Sequence, residues 1–238
     1  MLHIEHLTKT YGTKKAVDDL TVHLEPGQIC AFIGHNSAGK TTTLKACCGI
    51  HDFDSGNILI NGHSNKDEPI RCKQDLAYLP DNPDLYEFMS GNRYLNFVSD
   101  IFRIPLDVRR QRIARYAEML QIYQDLNQPI SSYSHGMKQK IAIISALIHD
   151  PKLLLMDEPF VGLDPVASHD LKIVMHDLCE NGSSIFYSTH VLEVAEKLCD
   201  RVVIIKNGRL VASGTMEEVR GDSSLESVFL ELEGDENA

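Results

Sequence analysis

Gly34-His35-Asn36-Ser37-Ala38-Gly39-Lys40-Thr41-Thr42 is the stretch on which the reading of this chain turns. An apolar run at residues 29–33 leads into it and a helix-like segment at residues 41–48 leads out, so the glycine loop sits between a strand and a helix. In that setting the glycines let backbone N–H groups wrap a phosphate, and the helix N-terminus adds positive potential. A lysine at the end of the loop reaches the outer phosphate oxygens, and the hydroxyl after it ligates Mg²⁺. Gly34, His35, Asn36, Ser37, Ala38, Gly39, Lys40, Thr41 and Thr42 are therefore candidate nucleotide-binding residues, with Thr41 also a candidate metal ligand.

Outward from this loop, apolar runs at residues 153–156, 185–188 and 202–205 alternate with helical patterns. That rhythm belongs to an α/β fold with a buried, mostly parallel sheet. Residues 3–7 and 21–24 instead alternate apolar and polar, which predicts a half-exposed antiparallel β subdomain at the N-terminus. Asn61-Gly62 and Asn207-Gly208 lie between strand-like segments and carry the dipeptide of a tight hairpin turn. From residue 90 to about 128 the spacing turns helical, with Tyr94, Phe97, Val98 and Ile101 followed by Ile113, Ala117 and Leu120. The reading is one domain over residues 1–238, with an α-helical subdomain inserted at about 84–150 and an acidic, frayed tail at about 231–238.

A phosphate cradle needs a carboxylate to order the metal and a group to act on water. Leu153-Leu154-Leu155-Met156-Asp157-Glu158 supplies both, because an apolar strand delivers its last residues to the sheet edge beside the loop. Asp157 is the candidate metal ligand, acting through water, and Glu158 the candidate general base or water-orienting group.

Composition bounds the rest. Of 238 residues, 43% are hydrophobic and 24% charged, which is ordinary for a folded domain. The net charge of −11 disfavours a general grip on nucleic acid. The longest strongly apolar stretch, residues 141–148, is far short of the roughly 20 residues that span a bilayer. The first eleven residues show no leader-like apolar core, so a cytoplasmic location is the default expectation. Six cysteines without a CxxC pair read as reduced thiols, and eleven histidines without metal-ligand spacing argue against catalytic zinc.

Three further segments now fall in order: Tyr133-Ser134-His135-Gly136-Met137-Lys138-Gln139 ahead of the Asp157 strand, Gly162-Leu163-Asp164 after it, and Ser188-Thr189-His190 at the end of the next strand. With the loop and the carboxylate strand, this order resembles the ATPase subunit of ABC transporters over essentially the whole chain. The resemblance implies a P-loop NTPase core and hydrolysis of ATP with Mg²⁺ between two head-to-tail ATPase domains, in a homodimer or with a homologous subunit. On that pattern Ser134, His135, Gly136 and Met137 form a signature segment that contacts the partner domain's nucleotide. His190 contacts the γ-phosphate and the attacking water, Asp164 lies at the dimer seam, and Tyr11 stacks on adenine. The work is then done on a separate integral-membrane permease from the cytoplasmic face of the membrane. The rival reading is a soluble ATPase of the same kind acting on ribosomes or nucleic acid.

Two positions depart from the family pattern. The signature is typically Leu-Ser-Gly-Gly-Gln, and here His135 stands where a glycine is usual, which puts the local backbone in question. The Tyr-Ser-x-Gly-Met-Lys-Gln form is similar to that of bacterial drug and bacteriocin exporter subunits, so export is favoured over import. The loop that usually carries a glutamine between the subdomains reads Leu79-Pro80-Asp81-Asn82, making Asp81 a candidate coupling residue and, through water, a candidate metal ligand.

Overall fold

Strand β3 (Ile29–Ile33) is buried at all five positions, as a strand inside a parallel sheet must be. In this computed structural model, which describes residues 1–234, β3 pairs in parallel with β8 (Ser184–Thr189) and β9 (Arg201–Lys206). β7 (Leu153–Asp157) lies in parallel between β8 and β6 (Leu76–Leu79), and β10 (Arg209–Thr215) closes the far edge antiparallel to β9. The order β10-β9-β3-β8-β7-β6 makes a mostly parallel six-stranded sheet.

Successive residues of these strands face opposite sides, and the core divides accordingly. Ile29, Ala31, Ile33, Leu154, Met156 and Tyr187 face a helical layer. Cys30, Phe32, Leu153, Leu155 and Phe186 face a second sheet, with Phe32 stacked on Phe186 at 4.8 Å. That second sheet is wholly antiparallel, β2 (Lys14–Leu24), β1 (Leu2–Tyr11), β4 (Ser55–Ile60) and β5 (His63–Ser64) in order. Its strands run well beyond residues 3–7 and 21–24. Register shifts along β1–β2, with His6 at φ 51° and Asp19 at φ 57°, interrupt the alternation that marks a strand in sequence. Both Asn-Gly dipeptides turn hairpins, with Asn61, Gly62, Asn207 and Gly208 all at positive φ.

Helix α1 (Lys40–Cys47) follows the glycine loop, and α2 (Pro69–Asp75) leads into β6. Between β6 and β7 come α3 (Gly91–Ile101), α4 (Leu106–Met119) and α5 (His135–Leu147), with short 3₁₀ turns at Tyr123–Asp125 and Ile130–Ser132. Helices α6 (Pro165–Glu180) and α7 (Leu192–Leu198) follow β7 and β8, and α8 (Met216–Arg220) and α9 (Leu225–Gly234) end the described chain. The frayed tail expected from residue 231 is corrected for 231–234, which belong to α9; 235–238 lie outside the described residues. All six cysteines are free thiols, and burial pushes Cys47 and Cys179 up to about 12. Among the described residues no helix is long and apolar enough to cross a membrane.

Candidate functional site

The loop between β3 and α1 is shaped by backbone that few residues adopt. Ser37 has φ 68° and Gly39 φ 110°. A Cβ at Gly39 would lie 2.3 Å from the Ala16 carbonyl oxygen, so only glycine fits. The β9–β10 hairpin braces the loop from outside, with the Gly208 N–H donating to Ala38 O at 2.9 Å.

Lys40, the first residue of α1, is only 7% exposed. Its Nζ donates to Gly34 O at 2.5 Å and His35 O at 3.3 Å, and lies 4.0 Å from Glu158 Oε1. Burial pushes the Lys40 ammonium below its ordinary pKa, while the Glu158 and Asp157 carboxylates draw it back up. A buried ammonium held by loop carbonyls is poised to exchange them for an anion.

Asp157 ends β7 at the buried sheet edge. Its Oδ2 accepts from Thr41 Oγ1 at 2.6 Å, and its Oδ1 accepts from Ser188 Oγ. Ser188 stands opposite Asp157 on the neighbouring strand, and its Oγ also accepts the Glu158 N–H at 3.1 Å. Ser188 thus sets the position of both acidic residues, a role that sequence reading did not assign. The signal for it is strand register, which no local pattern displays.

Glu158 turns the chain at φ 49°, and this backbone aims its carboxylate across the strand ends. Oε2 accepts from His190 Nδ1 at 2.9 Å and from the His190 N–H at 3.3 Å. Lys40, Glu158 and His190 are therefore one chain of contacts, with the His190 side chain 59% exposed and the Glu158 side chain 16%. A half-buried carboxylate between an ammonium and an imidazole is equipped to orient water and take its proton.

Lys40, Thr41, Asp157 and Glu158 line a cavity of about 360 Å³ with His35, Asn36, Ser37, Gly39, Thr42, Asp81 and Tyr11, while His190 lies outside its lining and reaches it only through Glu158. Lys14 lines it too and was missed in the sequence, being one lysine of an ordinary strand. The Tyr11 ring is 48% exposed at the cavity edge, with Lys9 Nζ 5.1 Å from its centre. Asp81 follows β6, and its carboxylate accepts the N–H of Asn82 at 2.8 Å.

Ser134, His135, Gly136, Met137 and Asp164 do not line this cavity. Ser134 caps α5, accepting the Met137 N–H at 3.3 Å. His135 is already helical and not at positive φ, which answers the question raised by its side chain. Its ring instead fills the space over Gly162, where a Cβ would lie 2.4 Å from His135 Cδ2. Asp164 caps α6 by accepting the N–H groups of Ala167 and Val166, both at 2.9 Å, and these bonds hold its carboxyl below the ordinary range. The signature segment and the Asp164 segment are thus in direct contact through the His135–Gly162 pair.

The family model described as ABC transporter matches residues 17–161. The ABC-type transporter ATP-binding protein EcsA of Bacillus subtilis is 32% identical over 237 residues, covering 98% of this chain and 96% of EcsA. The linearmycin resistance ATP-binding protein LnrL of the same species is 33% identical, over 92% of this chain and 70% of LnrL. A solved structure of an ATP binding subunit of an ABC transporter superposes with a TM-score of 0.94 at 33% identity, covering 98% of this chain and 99% of that one.

Proposed function

Because this chain belongs to the ATP-hydrolysing, ATP-binding subunits of ABC transporters, we propose that it powers export through a separate permease by ATP-driven closure of an ATPase dimer. The observation that carries the coupling is one loop with two attachments. It begins at Asp81 in the cavity wall, and Glu87 further along forms an ion pair with Lys138 on α5, the signature helix. The same loop presents Tyr86 and Phe88, 48% and 78% exposed, with their rings 5.9 Å apart. A change at the cavity is thereby tied to an apolar surface suited to a protein partner.

Within the cavity, the loop N–H groups and Lys40 take the phosphates, and Tyr11 takes the base. The residues fit Mg²⁺, since the Thr41 hydroxyl and the Asp157 carboxylate already meet at 2.6 Å and are the hard oxygen donors it prefers. When bound, the ion neutralises charge on the phosphates, with Asp81 a further ligand through water. Glu158 orients the attacking water and takes its proton, and His190 holds the Glu158 carboxylate in place while facing the γ-phosphate. The second domain's Ser134, His135, Gly136 and Met137 close over the nucleotide from the other side, with Asp164 at the seam. Closure excludes bulk water while retaining the attacking one, and presents the two coupling loops to the permease together.

Export is supported by the Tyr133–Gln139 form of the signature and by the similarity to LnrL, whose name assigns it to resistance. The place of work is then the cytoplasmic face of the cell membrane. The test is to tag the Glu158→Gln chain, purify it with ATP from gently solubilised membranes of its host, and identify what accompanies it. Hydrolysis is expected to fall by about a thousandfold, as for loss of a general base. A multi-span membrane protein in stoichiometric amount is the expected companion. Recovery with ribosomal or other soluble partners alone would overturn the transport reading and leave the ATPase chemistry standing.

A further inference from the structure

Helix α9 reaches the phosphate loop. Phe229, 9% exposed, places its ring 5.1 Å from the ring of His35 at a tilt of 60°. His35 is the second residue of the loop, so this contact bears on the backbone whose N–H groups face a phosphate. The far half of the loop is braced by Gly208 on Ala38, and the Phe229 ring meets the near half.

The helix itself is firmly seated. Leu225 is fully buried, and its N–H donates to Glu196 Oε2 at 3.0 Å. The other Glu196 oxygen accepts from Arg220 at 2.8 Å, and Lys206 Nζ donates to Leu232 O at 3.2 Å. Glu196 belongs to α7, which starts two residues after His190, and Phe229, His35, His190 and Leu192 line one cavity. One helix thus touches both the phosphate loop and the helix that directly follows the histidine of the Lys40–Glu158–His190 contact chain.

We propose that Phe229 is a positioning residue for nucleotide binding, its ring backing His35 so that the docking of α9 sets the affinity of the phosphate loop for ATP. Phe229 touches no substrate in this role. An aromatic pair contributes on the order of 1 kcal/mol beyond its buried area, so removing the ring weakens ATP binding by about fivefold. The proposal rests on nucleotide binding alone, and it stands or falls separately from export and permease coupling.

The test is calorimetric titration of the full isolated chain with a non-hydrolysable ATP analogue and Mg²⁺. Phe229→Ala is expected to raise Kd about fivefold, and His35→Ala by a similar factor. The double variant is expected to bind no worse than either single one, because both remove one contact. Phe229→Leu keeps the apolar anchor of α9 and loses the ring, so its Kd rises at least about twofold while the thermal midpoint falls by no more than about 4 °C. Leu230→Ala, on the same helix and 62% exposed, is expected to bind as wild type. In steady state, Phe229→Leu raises KM for ATP and leaves kcat in place. Wild-type affinity in Phe229→Leu would overturn the proposal. So would a double variant that loses the product of the two single effects, or an equal loss in Leu230→Ala.

Discussion

Asp157 holds a hydrogen bond from a different element at each carboxylate oxygen, Thr41 of α1 on one and Ser188 of β8 on the other. The geometry of the acidic pair therefore depends on a residue with no charge. Ser188 is fully buried and donates to Asp157 while accepting from the Glu158 N–H, so Ser188→Ala leaves a buried carboxylate oxygen without its partner, whereas the Glu158 N–H keeps the Ser188 carbonyl at 3.2 Å. The expected loss of stability is about 1–3 kcal/mol, read from urea unfolding. Turnover should fall more than nucleotide affinity, by about tenfold in kcat, because the roles proposed for the displaced groups are on water and metal while Lys40 keeps its bonds to the loop carbonyls. A variant with wild-type kcat would show that Asp157 and Glu158 hold their places without the serine.

At the scale of elements, the inserted helices meet the main sheet through His149, just beyond the end of α5. Its ring stacks on Phe102 at 3.8 Å with only 5° between planes, and its Nε2–H donates to Leu76 O of β6 at 3.1 Å. Burial pushes this imidazole below its ordinary pKa and Arg112 adds to that, against the Leu76 hydrogen bond and the Asp150 and Asp75 carboxylates. The unfolded chain takes up a proton near pH 6.5 that the folded chain still refuses, so this group's contribution is full above that pH and falls as pH drops. Unfolding midpoints measured from about pH 7.5 to about 5.5 should decline, and His149→Phe should flatten the decline. An unchanged slope in His149→Phe would place the sensitivity elsewhere. Such cross-element contacts also mark the limit of what the sequence showed. The loop from Gly34 to Thr42 and the buried strands were legible because glycine chemistry and apolar runs are local signals. The middle of β1 and β2 was not, since bulges at His6 and Asp19 erase the alternation. Ser188, Lys14 and Phe229 were missed for a related reason: each acts across sheet register or tertiary packing, and its neighbours in sequence carry no trace of that.

At the scale of the whole molecule, the proposed transport role needs a docking surface on a chain of net charge −11. Asp81, Asp84 and Glu87 are close in sequence to Tyr86 and Phe88, whose rings are exposed, and Phe97 packs beside Tyr86 at 5.6 Å. A surface of this kind fits a partner segment with apolar anchors and basic flanks, where the rings supply most of the affinity and the charges set orientation. Phe88 is 78% exposed and takes no part in the ATP cavity, so Phe88→Ser should leave the stability and ATPase activity of the isolated chain unchanged. The same substitution should weaken attachment by about 2 kcal/mol or more, roughly thirtyfold, if the ring is an anchor of the interface. Co-purification from host membranes would then lose the permease in Phe88→Ser while retaining it in the parent chain washed at about 0.5 M salt, since screening weakens rim charges more than a buried ring. Equal recovery of the membrane protein with Phe88→Ser would remove this loop from the docking surface and break the proposed path from Asp81 to the membrane.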